Sequence, residues 1–204
     1  MREKPNVFLD LDQTLISAES TLDDEFDWKK YGKKAKKFKY KNMEGYYVVF
    51  ERPGLQNFLD FLFSNFNVSI WTAASKDYAL FIIEKIILCG KEERSIDWIF
   101  FSYHCDISKN IKSGTKDLRI MWENYKIPNY HKNNTIIIDD YDEVYKTQPD
   151  NCIIAFPFEF TDSNSENDDF LLKLQPELLK MKKSIKNIEG KPAKLVNDVM
   201  KKYK

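Results

Sequence analysis

The chain alternates short apolar runs with stretches whose apolar residues recur every three or four positions. Val7-Phe8-Leu9 is the first run, Val68-Ser69-Ile70-Trp71 the second and Trp98 to Tyr103 the third. Thr135-Ile136-Ile137-Ile138 and Cys152 to Phe156 are the fourth and fifth. Each is short and rich in β-branched or aromatic residues, which predicts strands buried on both faces. Between them, Leu55, Phe58, Leu59 and Leu62 fall at helical spacing behind the start signal Arg52-Pro53-Gly54. Ser75 suits the N-cap of a helix from Lys76 to Cys89, closed by Gly90. Leu118, Met121, Trp122 and Tyr125 predict a helix from about Lys116. The tail predicts a helix through Leu171 to Met181 with Pro176 near a break, then an amphipathic segment from Pro192 to Tyr203. The rhythm is interrupted once, before Arg52, by an irregular region that is acidic from Glu19 to Asp27 and lysine-dense from Lys29 to Lys41. Within it, Phe38 to Lys41 and Tyr46 to Phe50 flank Asn42-Met43-Glu44-Gly45, a hairpin in which Gly45 supplies the positive φ.

Apolar strands alternating with helices predict an α/β fold: a Rossmann-like parallel sheet covered by helices on both faces, with a small β-hairpin insertion after the first strand. The expected organisation is one domain over residues 1–204, with the insertion at 17–50 and C-terminal helices at 165–204. Lys and Arg number 32, as do Asp and Glu, so net charge gives no general attraction to nucleic acid or membrane. The lysine run reads as a solvated insertion. No apolar run approaches a membrane span, and the N-terminus enters the first strand without a signal-peptide core. Cys89, Cys105 and Cys152 lack paired spacing, which predicts free thiols in a reducing, cytoplasmic or nuclear, setting. Oligomeric state is left open.

Candidate chemistry gathers at strand ends. In an extended chain Asp10 and Asp12 project to the same side, and two acids so close repel and drive their pKa values apart. That arrangement suits a divalent cation, or a charged nucleophile beside a protonated acid. Any one strand end in Asp also serves as an ordinary capping turn. However, Thr72 ends the second strand and Asp139 with Asp140 ends the fourth, so the polar groups fall on the sheet edge where α/β ligands bind. Phosphoryl transfer needs an in-line nucleophile, a cation and equatorial donors. Asp10 is then the candidate nucleophile, forming an aspartyl-phosphate, and Asp12 the candidate general acid and base. Thr72 can donate to a phosphoryl oxygen, Lys116 can neutralise charge, and Asp10, Asp139 and Asp140 offer hard oxygens suited to Mg²⁺.

These segments resemble the haloacid dehalogenase (HAD) superfamily, and within it the FCP/SCP branch of serine/threonine phosphatases, the NLI-interacting-factor-like domain. Phe8-Leu9-Asp10-Leu11-Asp12-Gln13-Thr14-Leu15 is similar to the branch's acid-pair signature with its following Thr. Glu51-Arg52-Pro53-Gly54, Ile70-Trp71-Thr72-Ala73-Ala74-Ser75-Lys76-Asp77-Tyr78-Ala79, Thr115-Lys116-Asp117-Leu118, Ile138-Asp139-Asp140 and Pro149-Asp150-Asn151 to Phe156 resemble its later elements, over roughly Asn6 to Ser184. The resemblance implies a Mg²⁺-dependent phosphoprotein phosphatase. Asp10, Thr72, Ala73 and Lys116 would surround the phosphate. The metal would be held by Asp10, the carbonyl of Asp12 and the acidic strand end Asp139-Asp140. Relatives often carry Asn where Asp140 stands. The aromatic-proline segment with which small members grip the RNA polymerase II tail has no counterpart here, and Lys109 or Lys112 lies where an Arg usually precedes the Lys-Asp-Leu element. The polymerase tail is thus one candidate substrate among phosphoproteins, and no breast-cancer-type C-terminal module is expected.

Other chemistries fit less well. Cysteine phosphatases need five residues between Cys and Arg, whereas Cys89 and Arg94 are separated by four. His104 and His131 lack metal-ligand spacing, and there is no glycine-rich phosphate loop. A small-molecule or polynucleotide-end phosphatase using the same aspartates, and a catalytically silent phosphoprotein-binding scaffold, are the alternatives. A small insertion in place of a large cap favours protein substrates, and the presence of Asp10, Asp12 and Lys116 disfavours the scaffold.

Overall fold

In the computed structural model, which describes residues 4–21, 26–185 and 192–203, the first strand divides the core in two. β1 (Asn6–Leu9) is buried throughout. Val7 and Leu9 face one apolar cluster with Val68, Ile70, Ile136 and Ile138. Phe8 faces the other with Trp71 and Ile137. Covering both faces is the physical reason these strands are continuously apolar. On the first face lie α2 (Leu55–Asn65), α3 (Lys76–Ile82), α6 (Phe170–Ser184) and α7 (Pro192–Met200). On the second lie Cys105 of α4 (Ser102–Lys112), Met121 of a π-helical turn (Ile120–Asn124) and Val144 of α5 (Asp142–Thr147).

The sheet is completed by β5 (Asn67–Trp71), β6 (Ile96–Phe100), β7 (Thr135–Asp139) and β8 (Cys152–Ile154), in the order β6-β5-β1-β7-β8 with parallel pairs. The chain builds outward from β1 through β5 to β6, then returns to the opposite side of β1 with β7. The order therefore reverses between β1 and β7. Leu9 pairs with Ile138, so the carboxyl ends of these two strands, carrying Asp10 and Asp139-Asp140, are neighbours at the reversal.

The insertion is larger than a hairpin. The expected hairpin is β3 (Tyr40–Met43) and β4 (Tyr47–Glu51), with Gly45 at φ +78° and Asn42 and Met43 drawn into the strand. Ile16–Ser20, expected as irregular, is β2 and pairs antiparallel with β4, giving the order β2-β4-β3. Its single strongly apolar residue gives little local signal, so its strand state comes from β4. The lysine run contains α1 (Trp28–Ala35), capped by Asp27. Ala35 and Phe38 pack into a cluster with Phe26, Phe50 and Phe160, so the lysines ride on an anchored helix. Of the acidic stretch Glu19 to Asp27, residues 22–25 lie outside the described residues, as do 186–191 and 204 of the C-terminal helical region.

Three further expectations need correction. The third strand stops at Phe100, and α4 follows in place of a strand through Tyr103. Its N-terminus is closed by the Phe101 N–H donating to His104 Nδ1, and only Cys105 and Ser108 of α4 are buried, too few for a visible apolar stripe. No helix starts at Lys116, which instead sits in a turn at φ +50° before the π-helical turn. Pro176 lies inside a continuous α6. The carbonyl it deprives of a donor is that of Leu172, whose residue is 66% exposed and open to water. The cap at Ser75 is formed, its Oγ accepting from the Tyr78 N–H, but the helix changes to π geometry at Ile83–Leu88 before ending at Cys89 and Gly90. All three cysteines are free thiols.

Candidate active site

At the reversal the chain leaves β1 by turning back on itself. Gln13 adopts φ +58°, and the N–H groups of Leu15 and Ile16 return to the Leu11 carbonyl. This turn holds the Asp10 and Asp12 side chains at the mouth of a cleft of about 440 Å³. Asp10, Asp12, Thr72, Ala73, Lys116, Asp139 and Asp140, the residues singled out from the sequence, all line it.

Lys116 is 3% exposed, and its Nζ donates to Asp10 Oδ1 at 2.5 Å and to Asp139 Oδ2 at 2.7 Å. Its left-handed backbone is unusual for a long side chain and matches the strain that functional sites store. The Lys116 carbonyl accepts from Gln148 Nε2, which pins the turn. Burial pulls the Lys116 pKa down, but the two carboxylates outweigh it and hold the ammonium charged, above its ordinary value. Burial raises Asp139 to about 7, with the Asp10 charge adding to the rise and Lys116 opposing it. Asp140 is raised by burial and by Asp10.

One oxygen from each of Asp10, Asp139 and Asp140 lies within 4.8 Å of the others, an all-oxygen donor set that fits a hard divalent cation. The three differ in how far they are engaged. Asp139 uses both oxygens, Oδ1 accepting from the Tyr141 N–H at 2.9 Å and Oδ2 from Lys116. Asp140 Oδ1 accepts from Thr14 Oγ1, which also lies 3.3 Å from Asp10 Oδ2. The Asp12 carboxyl stands apart from this cluster: Oδ1 accepts from the Tyr78 hydroxyl at 2.5 Å. Burial raises Asp12 to about 6, with the Tyr78 hydrogen bond pulling the other way. Thr72 Oγ1 accepts from the Ala74 N–H, which leaves the hydroxyl proton free to donate.

The sequence assigned no role to Tyr78 and, apart from Lys109 near the place of the usual Arg, did not single out the face of α4 that closes the cleft through Ser102, Cys105, Asp106 and Lys109. The only signal was spacing. Positions 102, 105, 106 and 109 share one helical face, but without an apolar stripe nothing marked the segment as a helix.

Comparison with known proteins agrees with this geometry. The family model described as NLI interacting factor-like phosphatase matches residues 5–189. A protein of Invertebrate iridescent virus 6 named putative CTD phosphatase-like protein 355R is 46% identical over 176 residues, covering 85% of this chain and 96% of its own length. Its namesake in Invertebrate iridescent virus 3 is 42% identical over 181 residues, covering 86% of this chain and 96% of its own. Among solved structures, Fcp1, titled an essential RNA polymerase II CTD phosphatase, aligns with a TM-score of 0.65 at 16% identity, over 98% of this chain and 71% of its own. At that identity the match speaks to the HAD fold alone.

Proposed function

The chain belongs to the NLI interacting factor-like phosphatase family, and from that premise we propose that it is a Mg²⁺-dependent phosphoprotein phosphatase working through an aspartyl-phosphate on Asp10. The observation that carries this reading is the buried Lys116 ammonium bonded to both Asp10 and Asp139, with Asp140 completing an oxygen cluster at the strand reversal. An ammonium so placed faces the nucleophile and stays beside it as phosphoryl charge arrives.

Roles follow from what each group already does. Asp10 attacks phosphorus and the ester P–O bond breaks. Asp12, with its raised pKa, gives a proton to the leaving oxygen and later takes one from the attacking water. Thr72 donates its hydroxyl to a phosphoryl oxygen beside Ala73, and Lys116 balances the charge. Asp10 and Asp140, with the Asp12 carbonyl, would hold Mg²⁺. Asp139, whose oxygens are both engaged, serves chiefly to anchor Lys116. When bound, Mg²⁺ shields the phosphoryl oxygens so that two anions can meet.

Phosphoserine and phosphothreonine in extended polypeptide are the substrate class, with the phosphorylated tail of RNA polymerase II as the first candidate because the iridescent virus relatives are named CTD phosphatase-like. The test is hydrolysis of an aryl phosphate and of phosphoserine peptides with Mg²⁺ and with chelator. Turnover should need Mg²⁺ and disappear in Asp10→Asn. Activity that survives chelation, or survives Asp10→Asn in a folded variant, contradicts the reading.

A further inference from the structure

The oxygen cluster accounts for Asp10, Asp139 and Asp140 and leaves Asp12 to a partner that phosphoryl transfer itself does not require. That partner is Tyr78, in the first turn of α3, whose hydroxyl donates to Asp12 Oδ1 at 2.5 Å. Tyr78 is 7% exposed, and its ring meets that of Tyr47 edge to face, with centroids 5.2 Å apart and planes at 80°. Tyr47 opens β4, where pairing with Ser20 on one side and Met43 on the other fixes it in the inserted sheet. A line of direct contacts therefore runs from the insertion through two phenols to the carboxyl group that handles the proton.

We propose that Tyr78 is a positioning residue for the general acid: it fixes the plane of the Asp12 carboxyl and occupies Oδ1, reserving Oδ2 as the oxygen that moves the proton, while Tyr47 braces Tyr78. The inference rests on the phosphatase reading. A carboxylic acid carries one proton on two oxygens, and an oxygen already accepting a hydrogen bond is the poorer place for it. In the first half-reaction the Oδ2–H bond breaks as the serine or threonine oxygen takes that proton, together with the electron pair of the broken P–O bond. In the second, water gives a proton to Oδ2, its oxygen bonds to phosphorus, and the bond from phosphorus to Asp10 breaks. Holding a reacting group in one orientation acts on the rate of the step in which it reacts.

A packing role for Tyr78 would affect all substrates alike, whereas positioning of an acid matters in proportion to how badly the leaving group needs a proton. p-Nitrophenolate leaves readily without one and a serine alkoxide does not. The experiment compares kcat/KM, which reports the departure step, for a phosphoserine peptide and for p-nitrophenyl phosphate at saturating Mg²⁺. Tyr78→Phe should lower the peptide value by about tenfold or more, a part of what an acid contributes, and the aryl value by less than about threefold. Asp12→Asn should show the same split more strongly, and Tyr47→Leu more weakly. Equal losses on both substrates, or no loss on either, overturn the proposal. If Tyr78→Phe fails to fold by circular dichroism, the Tyr47→Leu comparison decides by the same criterion. A wild-type protein that hydrolyses neither substrate with Mg²⁺ overturns the phosphatase reading, and this inference with it.

Discussion

Asp10 and Asp139 share one buried ammonium with Asp140 beside them, and burial raises the proton affinity of Asp139 and Asp140, which a bound cation would oppose. Asp12 is raised to about 6 and Asp139 to about 7 from an ordinary 3.8, burial being the main cause for each. At these two groups the folded chain therefore binds more protons than the unfolded one between about pH 4 and 7. The stability this contributes is complete below that range and is lost as pH rises through 6 to 7. His104, lowered by burial, works in the opposite sense, gaining stability as pH rises toward 6.5. A cation held by Asp10 and Asp140 favours, through its charge, the ionised forms of Asp12 and Asp139 beside it, which offsets their loss and leaves His104 untouched. The rise in melting temperature on adding Mg²⁺ should accordingly be larger at pH 8 than at pH 5. Equal shifts at the two pH values, or none at pH 8, would contradict the assignment of this cluster to a cation.

Between elements, the residue that joins most is Arg52, placed between β4 and α2. The residue is 1% exposed. It donates to the Thr14 carbonyl at 3.0 Å, to the Phe156 carbonyl at 2.8 Å, and through two bonds of 2.8 Å to Asp168, while lying 4.5 Å from the Phe170 ring centre. The turn that carries the acid pair, the strand end after β8 and the start of α6 are thus tied at one point. Arg52→Met should cost about 3 kcal/mol in urea unfolding, at the low end for breaking a buried pair because Asp168 keeps some access to water. A loss below about 0.5 kcal/mol would show that the tie contributes little beyond an ordinary surface contact.

The same scale explains what the sequence made legible. β1, β5 and β7 are short, apolar and buried on both faces, so local pattern and tertiary setting agree, and Asp10, Thr72 and Asp139 at their ends followed directly. The Ser75 cap and the Gly45 turn are local chemistry and were equally readable. β2 was not, because Ile16-Ser17-Ala18-Glu19-Ser20 becomes a strand through its partner β4. α4 was not, because its inner face is made of Cys105 and Ser108 in place of large apolar residues. Tyr78 stood in plain view in α3, but its bond to Asp12 spans 66 positions and local spacing carries no trace of it. The left-handed Lys116 belongs to the same class: it is bonded to Asp10, Asp139 and Gln148, none of which is its neighbour in the chain.

For the molecule as a whole, the strand order β6-β5-β1-β7-β8 brings the acids from two distant segments to one edge, and the inserted sheet stands against that edge on its own aromatic cluster. Phe50 of β4 stacks on Phe160 with ring centroids 3.7 Å apart, so the insertion is bolted to the segment after β8. Among the described residues, no helix is long and apolar enough to cross a membrane. The central claim is chemical: phosphorus is transferred to the Asp10 carboxylate. The most direct measurement is borohydride reduction of the enzyme during turnover of a phosphoserine peptide, followed by peptide mass mapping, since an acyl phosphate is reduced and a free carboxylate is not. The account predicts reduction at position 10, dependent on both substrate and Mg²⁺. Turnover with position 10 unreduced, or with reduction at a different residue, would contradict it.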